Sequence, residues 1–266
     1  MTNQVIEPSI LRPRSAQQYF DYDRHEPPTP LDELIDHFWT VTWALGPGES
    51  YSAQTLPYPS VNLSVTNTEA DVTGIIRLSY HRQLEGSGYG IGARFRPGCF
   101  RPLVDWPVSN LTNRHRPIAE VLGRSTEDLE RRISDLSDTL SRVDALAAFL
   151  AEGWPASDPT ALRLAELVET IAGDRTITRV AQVADLAELT VRSLQRIFAD
   201  YVGAGPKWVI QRYRLQDAAA RAAVEPTDWA GLAEELGFAD QAHLTRAFTA
   251  TIGVPPAAYA RQASSD

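Results

Sequence analysis

Leu194-Gln195-Arg196-Ile197-Phe198 and Leu244-Thr245-Arg246-Ala247-Phe248 each place an arginine between a Leu and a Phe four positions apart, and the second run repeats the first at an offset of 50. On a helix the Leu and the Phe share one face and the arginine lies toward the other. An outward guanidinium is a planar fork of donors that fits a carboxylate, a phosphate or the O6/N7 edge of guanine. One such arginine alone is an ordinary solvated side chain. A matched pair singles out Arg196 and Arg246. Arg192, Gln195 and Ser193 are further outward candidates beside the first, and a glutamine amide suits N6/N7 of adenine. Lys207, Arg179, Arg212 and Arg214 are candidates for phosphate contact, which positions a protein without reading sequence.

Other reactive constellations are thin. His25, His37, His81 and His115 lack metal-ligand spacing. Cys99 is the single cysteine; Arg94, Arg96 and Arg101 near it could lower its pKa, but a thiol in the turn after Pro97-Gly98 reads as an inert small residue. One cysteine leaves no intrachain disulfide framework. No paired-carboxylate or Ser/His/Asp pattern appears, so no enzymatic activity and no cofactor are expected. Trp39, Trp43, Tyr51, Tyr58, Tyr89 and Phe95 are candidate walls of an apolar ligand pocket, or else the filling of a core.

The elements that must position these residues change character along the chain. Residues 1–30 are rich in Pro and charge, including Arg12-Pro13-Arg14, and read as an arm. Leu31–His37 is a candidate short helix. Phe38–Ala44, Tyr51–Leu56, Val61–Thr66, Ile75–Tyr80 and Tyr89–Phe95 are short β-branched or aromatic segments split by Pro, Gly and Asn, the pattern of a small barrel or sandwich. From Pro117 the period turns helical. Ser125-Thr126-Glu127-Asp128 resembles a capping arrangement, and Val143, Leu146, Ala147 and Leu150 form one apolar stripe that either covers the barrel or offers a dimer or interdomain face. Gly153–Pro159 breaks the chain.

Beyond that break the repeat extends in both directions. Gly203 and Pro206 recur as Gly253 and Pro256, and Val183-Ala184 recurs as Leu232-Ala233 at an offset of 49. Each copy is a helix with a small Ala for close approach, a tight turn, and a second helix with polar residues outward, which is the helix-turn-helix pattern. Thr190 and Asp240 are the expected N-caps. Gly237 suits a left-handed turn position; Glu188 stands where the first copy would want Gly, and a positive φ there would cost about 1 kcal/mol or more. Pro206 opens a helix through Tyr213, Leu215 and Ala219 to Val224, a rod that would hold two reading heads at successive major grooves, ~34–36 Å apart. Trp208, Tyr213, Phe198, Phe248 and Tyr259 read as core.

The net charge of −9 argues against a broadly basic nucleic-acid binder. From Pro159 onward ten Arg and Lys207 face thirteen acids, a balance of −2, which leaves −7 to the rest. Phosphate binding then depends on local basic faces, and non-specific affinity should be weak. No signal peptide pattern opens the chain and no run approaches the ~18 apolar residues of a membrane helix, so a soluble cytoplasmic protein is expected.

The C-terminal residues resemble the AraC/XylS family of transcription regulators over roughly 161–262. The resemblance rests on the two pentads, Gly205-Pro206 with Tyr213-Arg214-Leu215, Leu232-Ala233 through Gly237-Phe238, Asp240-Gln241-Ala242-His243, and Gly253-Val254-Pro255-Pro256-Ala257-Ala258-Tyr259. It implies base-facing roles for Gln241, Ala242, Thr245 and Arg246, set beside Arg192, Gln195 and Arg196. Thr190, Asp240 and His243 join Arg179, Lys207 and Arg212 as phosphate contacts. Gly92–Leu103 resembles an uncharacterised N-terminal domain of some such regulators. The expected fold class is α+β in two domains. Residues 1–155 form a small cupin-like β-barrel or sandwich with flanking helices (about 113–155), for sensing a small molecule or pairing as a homodimer. Residues 156–266 form an all-α domain of about seven helices with two helix-turn-helix units. The expected partner is double-stranded DNA, and a fragment from about Asp158 is expected to bind it alone.

Overall fold

The computed structural model describes residues 18–78, 80–222 and 228–263. The Arg12-Pro13-Arg14 arm and Val224 lie outside them. The N-terminal half holds eight strands among these residues: β1 (Asp21–His25), β2 (Ile35–Ala44), β3 (Ser50–Thr55), β4 (Asn62–Thr66), β5 (Ala70–Thr73), β6 (Tyr80–Glu85), β7 (Ser87–Phe95) and β8 (His115–Pro117). Six form an antiparallel sheet in the order β1-β2-β7-β4-β5-β8, and β3 pairs with β6 in a second sheet. The pleat sorts the large sheet into two faces. Phe38, Leu63, Val65, Val72, Ile91, Ala93 and Phe95 are buried on one side. They share a core with helices α1 (Ile118–Leu122), α2 (Glu127–Asp135) and α3 (Thr139–Ala151). The stripe Val143, Leu146, Ala147 and Leu150 is spent covering this sheet, so it is closed to a second copy.

Three local expectations are corrected. Leu31–Glu33 is one 3-10 turn, and Ile35 already belongs to β2, because Leu31, Leu34 and Ile35 are all drawn into the core. Ile75–Leu78 is not a strand; Ile75 is buried beside Gly203 and its carbonyl accepts from Asn113 N at 2.9 Å, and β6 begins later, at Tyr80. Within the supposed arm, Asp21–His25 pairs along β2 from Asp21↔Thr42 to His25↔Phe38.

The C-terminal half is seven α-helices among the described residues: α4 (Pro159–Gly173), α5 (Val180–Leu186), α6 (Val191–Ile197), α7 (Pro206–Ala222), α8 (Trp229–Glu235), α9 (Gln241–Ile252) and α10 (Pro256–Ala263). α6 runs into a π turn, Phe198–Val202. One cluster joins α4 to the first unit through Leu164, Val168, Ile171, Val183, Leu194, Phe198 and Ile210; another joins the end of α7 to the second unit through Leu215, Leu232, Leu244, Phe248 and Ile252. α4 has a second allegiance: its Ala161 and Ala165 belong to the core of the N-terminal half. Asp158 caps α4 by accepting from the backbone N–H of Thr160 at 2.8 Å. Among the described residues no helix is long and apolar enough to cross a membrane.

Candidate nucleic-acid interface

The two helix-turn-helix units are built alike. In each, the first helix offers a buried alanine, Ala184 or Ala233, and a backbone N–H past the turn donates to its carbonyl: Leu189 to Ala184 at 2.9 Å, Phe238 to Ala233 at 2.8 Å. The left-handed position is Gly237 (φ 76°) in the second unit and Glu188 (φ 54°) in the first. Gly237 is also pressed against the first unit, since a Cβ there would lie 2.5 Å from Thr178 Cβ. The caps fall as spaced: Thr190 Oγ1 accepts from Ser193 N at 3.1 Å and Asp240 Oδ1 from His243 N at 2.6 Å. Leu194, Phe198, Leu244 and Phe248 are fully buried.

Burying those four residues turns the opposite faces outward. Arg192, Gln195 and Arg196 are exposed on α6; Gln241, Ala242 and Arg246 are exposed on α9, and Thr245 is half-buried beside them. Leu186, Leu189 and Val191 are also exposed around the first turn, apolar groups that sequence spacing alone did not single out. Arg179 and Lys207 are exposed. Lys207 lines a cleft between the units with Thr178, Gln211, Gly237 and His243. His243 rests edge-on against Phe238, ring centroids 5.3 Å apart.

Three of the phosphate candidates take other roles. Arg212 is 2% exposed, and its Nε donates to the carbonyl of Pro57 in the N-terminal half. Burial lowers its pKa to about 10. A side chain so enclosed cannot reach a phosphate. Arg214 is fully buried, pairs with Asp217 at 3.2 Å and donates to Ile171 O, tying α7 to the end of α4. The carboxylate of Asp240, an acceptor without a proton to give, serves the cap of α9.

The N-terminal half carries a partly open cavity of about 230 Å³ on the face of the large sheet away from the helices. Trp39, Trp43 and Tyr58 line it. Tyr51, Tyr89 and Phe95 do not: Tyr51 stacks on Tyr19 at 4.2 Å, Tyr89 lies under the guanidinium of Arg142 at 3.8 Å, and Phe95 packs against Phe100 in the core. Strand alternation explains Tyr89 and Phe95, which stand on the helix-covered side of β7. The inner side of β7 is Gly88, Gly90 and Gly92, where any side chain at 88 or 92 would collide with an indole of Trp43 or Trp39. Missing side chains let both indoles lie against the strand. Asn62 and Ser64 on β4 and Asp71 and Thr73 on β5 add polar lining. Burial, then the charge of Glu69, raises the pKa of Asp71. Cys99 is buried, its thiol pushed up to about 12 by burial. Among the described residues no group of three or more His, Cys, Asp or Glu could hold a metal ion.

Residues 183–262 match the family described as a helix-turn-helix domain, and residues 23–117 match a domain of unknown function (DUF6597). No curated protein matches the chain. Among solved structures, the C-terminal domain of AraT, a response regulator from Geobacillus stearothermophilus, is 20% identical over 40% of this chain and 86% of its own, at a TM-score of 0.35. The DNA-binding domain of AdpA, a global transcriptional factor in complex with a target DNA, is 24% identical over 40% of this chain and 93% of its own, at 0.34. ToxT from Vibrio cholerae is 10% identical over 84% of this chain and 98% of its own, at 0.41. At such TM-scores the superpositions add nothing to the sequence match.

Proposed function

We propose that the chain, a DNA-binding transcription regulator through its AraC-type helix-turn-helix domain at 183–262, reads a promoter with α6 and α9 in successive major grooves. One observation carries the reading: in two copies of one unit the apolar pair is buried and the polar face between is bare. Arg192, Gln195 and Arg196 read one groove; Gln241, Ala242, Thr245 and Arg246 read the next. Arg179, Lys207, His243 and the N-terminal end of α6 at Thr190 meet phosphates. The domains divide near residues 155 and 156, and the protein works in the cytoplasm without catalysing a reaction.

The test is selection from a randomised duplex pool with the full chain. A bipartite site should emerge. Arg246→Ala should relax base preference at one position of one half-site, losing about 1–3 kcal/mol of discrimination there. An unchanged base profile for that variant would remove Arg246 from the reading face.

The cavity supports a sensing role for the N-terminal half over pairing with a second copy. It is a partly open cavity lined by aromatic side chains of β2 and polar side chains of β4 and β5, a mixture that suits a ligand. Gly90→Leu would fill it, since even a Cβ there lies 3.0 Å from Val41 Cγ1. A compound that raises the melting temperature of the wild type should leave that of Gly90→Leu unmoved; equal shifts would place its site elsewhere.

A further inference from the structure

The segment Gln54–Tyr58, the end of β3 and the chain that follows it toward β4, lines the cavity of the N-terminal half and also contacts both reading units. Toward the second unit, Gln54 Nε2 donates to the carbonyl of Ile252, the last residue of α9, at 3.0 Å. Leu56 is buried in the cluster that holds Leu215, Phe248 and Ile252, so a residue of the N-terminal half completes the second unit's core. Toward the linking helix α7, Pro57 O accepts from Arg212 Nε, and the Tyr58 ring meets Tyr213 edge-on at 6.1 Å. Tyr58 packs against the first unit's cluster. The strap is anchored at home too, with the guanidinium of Arg94 on β7 lying 4.7 Å over the Tyr58 ring.

We infer that this strap is a specificity-determining part of the reading apparatus, setting the half-site spacing the protein accepts by holding the two recognition helices at one separation and angle. The inference rests on the two-headed reading above. Two heads joined by one helix and by the contact of Gly237 with Thr178 keep some freedom at those joints. A third element bonded to the last residue of α9, filling the core beside it and gripping α7 removes that freedom. On B-DNA each inserted base pair moves one half-site by about 3.4 Å and turns it by roughly 35°. A rigid pair of heads must break contacts to follow such a shift, whereas a loosened pair follows it. Gln54, Leu56 and Tyr58 therefore act through α7 and α9 without touching DNA; they are positioning residues.

The experiment uses the full chain on its selected bipartite duplex, on the same duplex with one or two base pairs inserted between half-sites, and on a duplex with one half-site scrambled. The wild type should lose about tenfold or more in affinity on a one-base-pair insertion. The double variant Gln54→Ala, Leu56→Ala should lose less than about threefold, while its affinity for the single half-site stays within about twofold of wild type. Gln54→Ala alone, which removes the bond to α9 and leaves Leu56 in place, keeps the test available should the double variant fail to fold; it should fall between the two. A purely structural weakening would lower binding to every duplex in proportion and leave the spacing penalty intact. Spacing penalties equal to wild type in folded variants would overturn the strap's role and leave the two-headed reading standing. A wild-type chain that selects no bipartite site would overturn both.

Discussion

Arg196 and Arg246 face solvent, while Arg212 and Arg214 are two of the most enclosed side chains in the molecule. Composition does not separate these four arginines; register does. Arg196 and Arg246 were legible because each sits between a Leu and a Phe that claim the buried face, and because the pattern occurs twice. Arg212 lies on a helix packed on several sides, and its partner, Pro57, is 155 positions away. No local period announces such a contact. Arg212→Ala should accordingly lower stability by about 1–3 kcal/mol, by orphaning the Pro57 carbonyl, and leave the salt dependence of DNA binding unchanged. Denaturant titration and a log K against log salt plot check the pair; a slope smaller by about one would instead mean a lost phosphate contact. Cys99 offers a second check at this scale. With its thiol pushed up to about 12, it should resist a thiol reagent at pH 8 in the native protein and react in full once the protein is unfolded.

The two tight turns carry the same backbone and different residues. Glu188 at φ 54° bears a strain that Gly237 at φ 76° escapes. A left-handed non-glycine residue costs about 1–2 kcal/mol, and glycine gives back about 0.5–1 through its greater freedom when unfolded. Glu188→Gly should thus gain about 0.5–1 kcal/mol. Gly237→Ala should lose about 1–3 kcal/mol, because the left-handed penalty adds to a collision with Thr178. Thermal and denaturant unfolding of the two variants decides both signs, and a neutral Glu188→Gly would refute the strain. Helices and caps of this half were legible because their signals are local: capping residues, a helical period, Gly after the last turn. The β half was read less well. β2, β3, β4 and β7 stood out by their apolar alternation, whereas β5 and β8 are three or four residues long at or near a sheet edge and β1 is mostly charged. Edge strands of that kind are defined by the strand they pair with, and pairing is not written in one segment. The same limit hid the glycine face of β7, which matters through the indoles of β2 that lie on it.

At the scale of the whole molecule, the halves share α4 and the strap. Ala161 and Ala165 complete the N-terminal core while Leu164, Val168 and Ile171, on the same helix, complete the first unit. Arg101–Asp200 at 2.9 Å, Arg96–Glu169 at 3.0 Å and the bond from Thr112 Oγ1 to Gly203 O at 2.6 Å add polar ties across the boundary. Gly153–Pro159 marks a break in the chain but not a gap in the packing. A fragment of residues 156–266 loses Leu56 from the second unit's core, worth about 1.5–3 kcal/mol, loses the acceptor of Arg212, and bares the alanine face of α4. It should melt on the order of 10 °C below the full chain, as differential scanning calorimetry would measure. A fragment as stable as the full chain would mean the halves are independent. Leu56 also ties competence to the order of synthesis. Gln54 and Ile252 are 198 residues apart, so at about 5–20 residues/s the strap leaves the ribosome roughly 10–40 s before α9 exists to receive it. The seat for α4 is filled about halfway through that interval, once residues 159–173 are made, but Leu56 stays without Phe248 and Ile252 until its end. A chain cut short before α9 has α4 in place but leaves Leu56 without Phe248 and Ile252, so it lacks both the strap's second anchor and the second unit.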